Sequence, residues 1–193
     1  MGRKLLCALG LLLAGAGPVA GTDVEARIEA SRKVVREFVR ELRAELMKAL
    51  EAGGPAGAID VCSRRAPEIA ARLSRETGWN VGRTSLRYRN PDSAPDEWER
   101  RVLERFEARR ASGGDIRSLE YAQVVEEGGR QVFRYMKAIP TRRPCLACHG
   151  ENLDPEVAAR IRERYPDDRA TGFRVGGIRG AFTIVQPMGR SSR

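Results

Sequence analysis

Histidine is almost missing from this chain of 193 residues, in which His149 is the only one. One imidazole cannot supply a pair of histidine ligands to a metal centre, so any second ligand must be another residue type or an open position. If His149 is a metal ligand, none remains for a Ser/His/Asp or Cys/His nucleophilic site. We therefore do not expect the chain to be an enzyme.

Long apolar runs are also scarce. One run of 12 residues, 5–16, follows Arg3 and Lys4. It ends in a group of small residues at 14–16, and a second such group follows at 19–21. This order is typical of a secretory signal peptide and is too short for a membrane-spanning helix. We predict a signal peptide over 1–21 and a single domain over 22–193. The mature protein is expected in the periplasm, or held by an uncleaved N-terminal anchor if processing fails.

Acidic residues are outnumbered. The chain has 35 basic and 26 acidic residues and a net charge of +9, and losing Arg3 and Lys4 would leave 33 against 26, or +7. A solvated arginine-rich surface is one interpretation. The other is attraction to an acidic redox partner protein or to an anionic membrane surface. An exported chain makes nucleic acid a poor candidate partner.

The cysteines are concentrated in one motif. Residues 145–149 read Cys-Leu-Ala-Cys-His, the C-x-x-C-H attachment site of a c-type haem. Cys145 and Cys148 can each add to one vinyl group of the porphyrin, and His149 is then carried beneath the iron. Haem is attached to such motifs outside the bacterial cytoplasmic membrane, which agrees with the predicted export. We expect one covalent haem c.

The second axial ligand is not fixed by the residues alone. Cys7 would leave with the signal peptide and two cysteines would be used as thioethers, which leaves Cys62. A thiolate binds ferric iron well, but Cys62 can equally be a buried structural cysteine. The other candidates are Met47, Met136, Met188 and an open site.

A zinc site is the structural alternative. Cys62, Cys145, Cys148 and His149 would form a Cys₃His set. Adjacent side chains such as Cys148 and His149 would be strained on one tetrahedral ion, so haem is the favoured cofactor.

The pattern of elements indicates an α+β protein. We predict a long first helix with a capping box at Thr22 and Glu25, stopped by Gly53-Gly54. The later elements are a helix from Pro55 that breaks or restarts at Pro67, a strand within 79–86, a loop over 89–95, a helix ending near 112–114, a hairpin of 116–126 with 130–139, a short helix from Pro155, and an antiparallel pair in the tail. This order favours a sheet with one face covered by helices.

Several stretches resemble the PAS-like c-type haem domains, a bacterial family that includes cyanobacterial haem proteins and sensor input domains. They are residues 58–62, 66–70, 81–86, 89–91, 94–99, 145–150, 165–168 and 176–182. The Arg-Asn-Pro loop at 89–91 and the Ile-Arg-Gly-Ala-Phe segment at 178–182 are more specific than the haem motif, which unrelated cytochromes share. Ser93 departs from the pattern, because an asparagine is expected there.

The resemblance implies a PAS-like antiparallel sheet flanked by helices, with haem at Cys145 and Cys148. It also implies His149 as proximal and Cys62 as distal ligand. A His/thiolate pair stabilises Fe(III), so we expect low-potential electron transfer. The alternative is a redox or gas (CO/NO) sensing module that acts through a partner.

Three arginines are candidate partners for the haem propionates. Arg83, Arg89 and Arg179 lie in the resembling stretches and can form charge-assisted hydrogen bonds with carboxylates. Their alternative role is that of ordinary surface or loop-bracing arginines.

Overall fold

A four-stranded antiparallel sheet and a long, bent helix organise residues 20–188, the part that this computed structural model describes. The helices are α1 (Ala20–Thr77), α2 (Glu97–Ala111), α3 (Leu146–His149) and α4 (Pro155–Arg164), and the strands are β1 (Asn80–Thr84), β2 (Glu120–Glu127), β3 (Arg130–Pro140) and β4 (Ile178–Pro187). The predicted signal peptide lies almost entirely outside the described residues. None of the helices within 20–188 has a stretch long and apolar enough to cross a bilayer. The predicted α+β class is confirmed.

Helix α1 is a hairpin of two helical halves. Gly53 and Gly54 have non-helical backbone angles, and Gly54 has a φ of 61°, so the predicted stop is confirmed. The halves lie antiparallel, because Arg72 pairs with Glu41 and Arg65 pairs with Glu45 across them.

Two expectations about α1 are wrong. Pro67 lies inside a continuous second half and does not break it. The helix already includes Ala20, so Thr22 is not its N-cap. Helical packing against the sheet outweighs the hydrogen bond that Pro67 cannot make.

The sheet has the strand order β1-β4-β3-β2, with every neighbouring pair antiparallel. Gly128 and Gly129 both have positive φ and form the predicted turn between β2 and β3. The expected strand pair within the tail is wrong. The tail provides one strand, β4, whose partners β1 and β3 come from earlier in the chain, while Gly176 and Gly177 lie in the turn before it.

Helices cover both faces of the sheet, which corrects the expectation of one covered face. On one face, α1 packs Phe38, Ile69 and Leu73 against strand residues that include Phe182. On the other face, the apolar side of α2 (Trp98, Val102, Leu103 and Phe106) packs against strand residues such as Met136 and Ala181. Both faces are apolar, so each stabilises the sheet by removing its side chains from water.

Candidate cofactor site

One cavity, about 230 Å³ in volume, lies where β1, β3 and β4 meet the α1 hairpin. Its lining includes every residue that the resemblance or the haem motif assigned to the haem site: Cys62, Arg83, Arg89, Cys145, Cys148, His149 and Arg179. These residues come from α1, β1, the 85–95 loop, the C-x-x-C-H segment and β4. The structure therefore brings the whole predicted set to one place.

The C-x-x-C-H segment is wound into helical turns. A 3₁₀ turn over Arg143–Cys145 continues into α3, so Cys145, Cys148 and His149 have the i, i+3, i+4 spacing that places side chains on one helix face. The N–H of Gly150 donates to the Leu146 carbonyl over 2.9 Å and ends the helix. A Cβ on Gly150 would lie 2.6 Å from that same oxygen, so the close approach requires glycine.

The His149 ring has one nitrogen held and one free for a ligand. Its Nδ1 donates to the carbonyl oxygen of Ala170 over 2.7 Å. Because a carbonyl only accepts, Nδ1 carries the proton and Nε2 keeps its lone pair. Burial holds the pKa of His149 well below its usual range, and the nearby charges of Arg179 and Arg89 lower it further. The ring is therefore the neutral imidazole that binds metals.

Arg89 braces the same segment from the other side. Its Nε donates to Asp168 over 2.9 Å, and both side chains are only 9% exposed. Its Nη2 donates to the carbonyl oxygens of Cys148 over 2.6 Å and of Ala170 over 3.2 Å. The guanidinium thus ties the loop after β1 to the C-x-x-C-H segment and to the 165–173 loop, which is the bracing alternative considered above.

Cys62 faces the cavity from the second half of α1 and is half-buried. Burial raises the pKa of its thiol, while the charges of Arg83 and Arg89 oppose that shift. A thiol held this way keeps its proton until a metal competes for the sulfur.

The three methionine candidates do not line the cavity. Met47 is exposed on α1, Met136 is fully buried beneath α2, and Met188 packs beside the α1 cluster. Of the proposed second ligands, Cys62 alone lines it.

The zinc alternative gains no support. Within residues 20–188 no three or more His, Cys, Asp or Glu side chains are grouped closely enough to hold a metal ion.

Two further arginines bring positive charge to the cavity. Within the described part of the chain, the Arg83 guanidinium has no carboxylate within 4 Å and makes no hydrogen bond, and burial lowers its pKa. Arg179 donates to the Arg87 carbonyl over 3.3 Å. Burial, followed by repulsion from Arg83 and Arg89, lowers the pKa of Arg179 to about 9. Cations held in this way are stabilised by an anion beside them.

The apolar walls were not identified from the sequence. They include Leu42, Leu46 and Leu50 from the first half of α1 and Ile139 from the end of β3. The four-residue spacing of the leucines is typical of an apolar helix face, but only the hairpin turn shows that this part of the face meets the cavity. Tyr88 and Tyr165 also line the cavity and were likewise missed.

The fold and this cavity define an α+β protein with cysteine, histidine and arginine side chains collected at one end of a helix-covered sheet. The sequence profile of the Tll0287-like family matches residues 22–187, and the chain therefore belongs to the Tll0287-like family. Among solved structures it is similar to the cyanobacterial haem protein Tll0287, with 29% identity, coverage of 85% of this chain and 98% of that one, and a TM-score of 0.62. No curated protein matches the chain significantly.

Proposed function

We propose that this protein carries one haem c in the cavity and acts as a low-potential electron-transfer protein of the periplasm. Cys145 and Cys148 would hold the haem through thioethers, with His149 as proximal and Cys62 as distal ligand. The observation that carries the proposal is the convergence of these four residues, with Arg83 and Arg179, on one cavity. The similarity to a cyanobacterial haem protein supports the same cofactor.

The residues present fit a haem. Leucine and isoleucine side chains offer apolar walls for a macrocycle, and two thiols at C-x-x-C spacing match two vinyl groups. Arg83 and Arg179 are available for two propionates. The Arg83 guanidinium lies 5.6 Å from the centre of the Phe38 ring but has no ion-pair or hydrogen-bond partner among residues 20–188. When bound, the haem iron would supply a one-electron Fe(III)/Fe(II) couple.

The chain's own residues favour electron transfer over catalysis. His149 is oriented by the Ala170 carbonyl, and Cys62 lines the same cavity. If both bound the haem iron, they would leave it no position for a substrate. The leucines of α1 exclude water from the cavity wall. An anionic thiolate stabilises the oxidised iron, so the reduction potential should lie below that of a His/Met cytochrome. A periplasmic location rests on the signal-peptide pattern over 1–21.

The test combines mass spectrometry and EPR spectroscopy of the protein made in a host that can attach c-type haem. We expect the mass to rise by one haem, and we expect C145S/C148S to lose covalent haem. Oxidised wild type should give a low-spin thiolate EPR signal that C62S loses and M47L, the matched control, retains. An unchanged signal in C62S would remove Cys62 from its role.

The same samples separate electron transfer from gas sensing. A carrier with both axial positions filled should bind CO slowly and weakly after reduction. Tight and fast CO binding by the reduced wild type would favour the sensor and overturn the carrier.

A further inference from the structure

A basic groove lies on the surface directly beside the C-x-x-C-H segment. Arg110 at the end of α2, Arg117, Arg142 and Arg143 line it together with Ile116 and Val175. We call these six residues the arginine groove. It leads from the end of α2 to the 3₁₀ turn that contains Cys145. The N–H of Arg142 even donates weakly to the Cys145 sulfur over 3.4 Å.

The charge of the arginine groove is only partly neutralised. Arg110 pairs with Glu107 and Arg117 pairs with Asp115, and the two arginine side chains are 40% and 76% exposed. Arg142 and Arg143 are exposed and have no carboxylate within 4 Å among residues 20–188. Two uncompensated cations thus flank the peptide to which the cofactor would be attached.

An apolar side chain stands among these charges. Val175 is 59% exposed, more than any other large hydrophobic side chain in the described part of the chain. A small apolar centre with a charged rim is the usual composition of a transient protein interface. The positive rim selects a partner of opposite charge and speeds the encounter.

We propose that the arginine groove is the docking surface for an acidic one-electron carrier protein. This inference rests on the proposed function, because proximity to the haem peptide is what makes the groove useful. In the complex, one electron leaves the reduced carrier, which becomes oxidised, and the haem iron goes from Fe(III) to Fe(II). Reversal of the same step delivers the electron to the carrier.

A second basic surface provides a matched control. Arg36, Arg40 and Arg43 surround the exposed Val39 and Met47 on the first half of α1. This helix covers the opposite face of the sheet from α2, so the control surface has similar composition but lies on the other side of the protein.

The experiment measures binding to a plant-type [2Fe–2S] ferredoxin, a small acidic one-electron carrier used here as the probe. The full haem-loaded chain is titrated by calorimetry at low ionic strength, because salt screens such contacts. We expect R142E/R143E to raise Kd at least about tenfold and R40E/R43E to raise it less than about threefold. V175S should raise Kd about threefold, because serine would bury less apolar surface against the carrier than valine does.

Three outcomes would overturn the proposal. One is an equal loss of affinity in both double variants, which would mean attraction to net charge alone. Another is no binding of the ferredoxin by wild type. The third is binding to phosphatidylglycerol vesicles, lost in R142E/R143E, without binding to the ferredoxin, which would assign the arginine groove to a membrane surface.

The failure of this inference is distinguishable from failure of the proposed function. Mass spectrometry of each variant reports covalent haem independently of binding, and circular dichroism reports whether it is folded. A protein that carries haem but shows no preference for the arginine groove loses only the docking surface.

Discussion

Arg89 and His149 donate hydrogen bonds to the same carbonyl oxygen, that of Ala170, over 3.2 Å and 2.7 Å. The N–H of Ala170 in turn donates to Asp168, the ion-pair partner of Arg89. The orientation of the imidazole therefore depends on a buried ion pair that does not contact its free nitrogen. An oxygen that accepts from a guanidinium has less electron density to offer the imidazole N–H.

Breaking the Arg89–Asp168 pair should be costly. Arg89→Gln leaves the Asp168 carboxylate buried without its counter-charge, and we expect the free energy of unfolding to fall by about 3 kcal/mol. Urea denaturation measures this. Arg143→Gln, which removes an exposed arginine outside any ion pair in the described residues, should change it by less than about 0.5 kcal/mol. Equal effects in the two variants would contradict the bracing role.

Substitutions of Arg89 and of Asp168 should shift the reduction potential of the haem-loaded protein in opposite directions. Arg89→Gln removes a positive charge near the site and leaves the Ala170 oxygen to His149, so both changes favour Fe(III) and lower the potential. Asp168→Asn removes a negative charge and raises it. A spectroelectrochemical titration of both variants checks the signs, and shifts of the same sign would indicate general loosening of the site.

Glu120 should make stability depend on acid pH. Its pKa is lowered below the usual 4.5 by hydrogen bonds, first from Arg32 and also from Tyr135. A carboxyl with a lowered folded-state pKa stabilises the protein above pH 4.5, and this contribution is lost as the pH falls through the folded value.

We therefore expect the free energy of unfolding of Glu120→Gln to be lower than that of wild type near neutral pH. The difference should be only about 1 kcal/mol, because the Glu120 side chain is 24% exposed and partly screened by solvent. The difference should shrink at about pH 3. Urea titrations at both pH values check this, with Glu97→Gln on an 88% exposed side chain as the control. A difference that stays constant with pH would contradict the assignment.

Gly180 should tolerate no side chain. Its φ is 153°, and a Cβ would lie 2.4 Å from the Thr84 carbonyl oxygen, where β4 approaches the end of β1 beside Arg179. We expect Gly180→Ala to lower the free energy of unfolding by about 2 kcal/mol or more. Gly82→Ala in β1 would meet only Thr183 at an ordinary 3.5 Å and should cost less than half as much. Equal losses in thermal unfolding would argue against the close approach.

The sequence was most informative where chemistry is local. The C-x-x-C-H spacing, the glycine stop in α1 and the Gly128-Gly129 turn are short patterns, and the structure has the last two where the pattern predicts them. The C-x-x-C-H segment forms helical turns that the sequence analysis did not predict, and its cofactor stays a proposal. Fold class followed from the order of such patterns.

Contacts between distant residues were not predictable in the same way. Arg89 could be selected from its loop, but its partners Asp168 and Ala170 lie about 80 residues later in the chain. The place of β4 was missed because alternation of apolar and polar residues indicates a strand and says nothing of its neighbours. The leucine walls of the cavity depend on how the α1 hairpin folds back.

The position of β4 also sets when the sheet can form during synthesis of the chain. β1 pairs with β4 (Ile178–Pro187), the last strand in chain order within residues 20–188, so the first of the described strands can pair only after the last of them has been made. Pairing over so many residues is a slow event. Until it happens, the chain between β1 and β4, which includes Cys145 and Cys148, is a loop that this pairing has not yet closed.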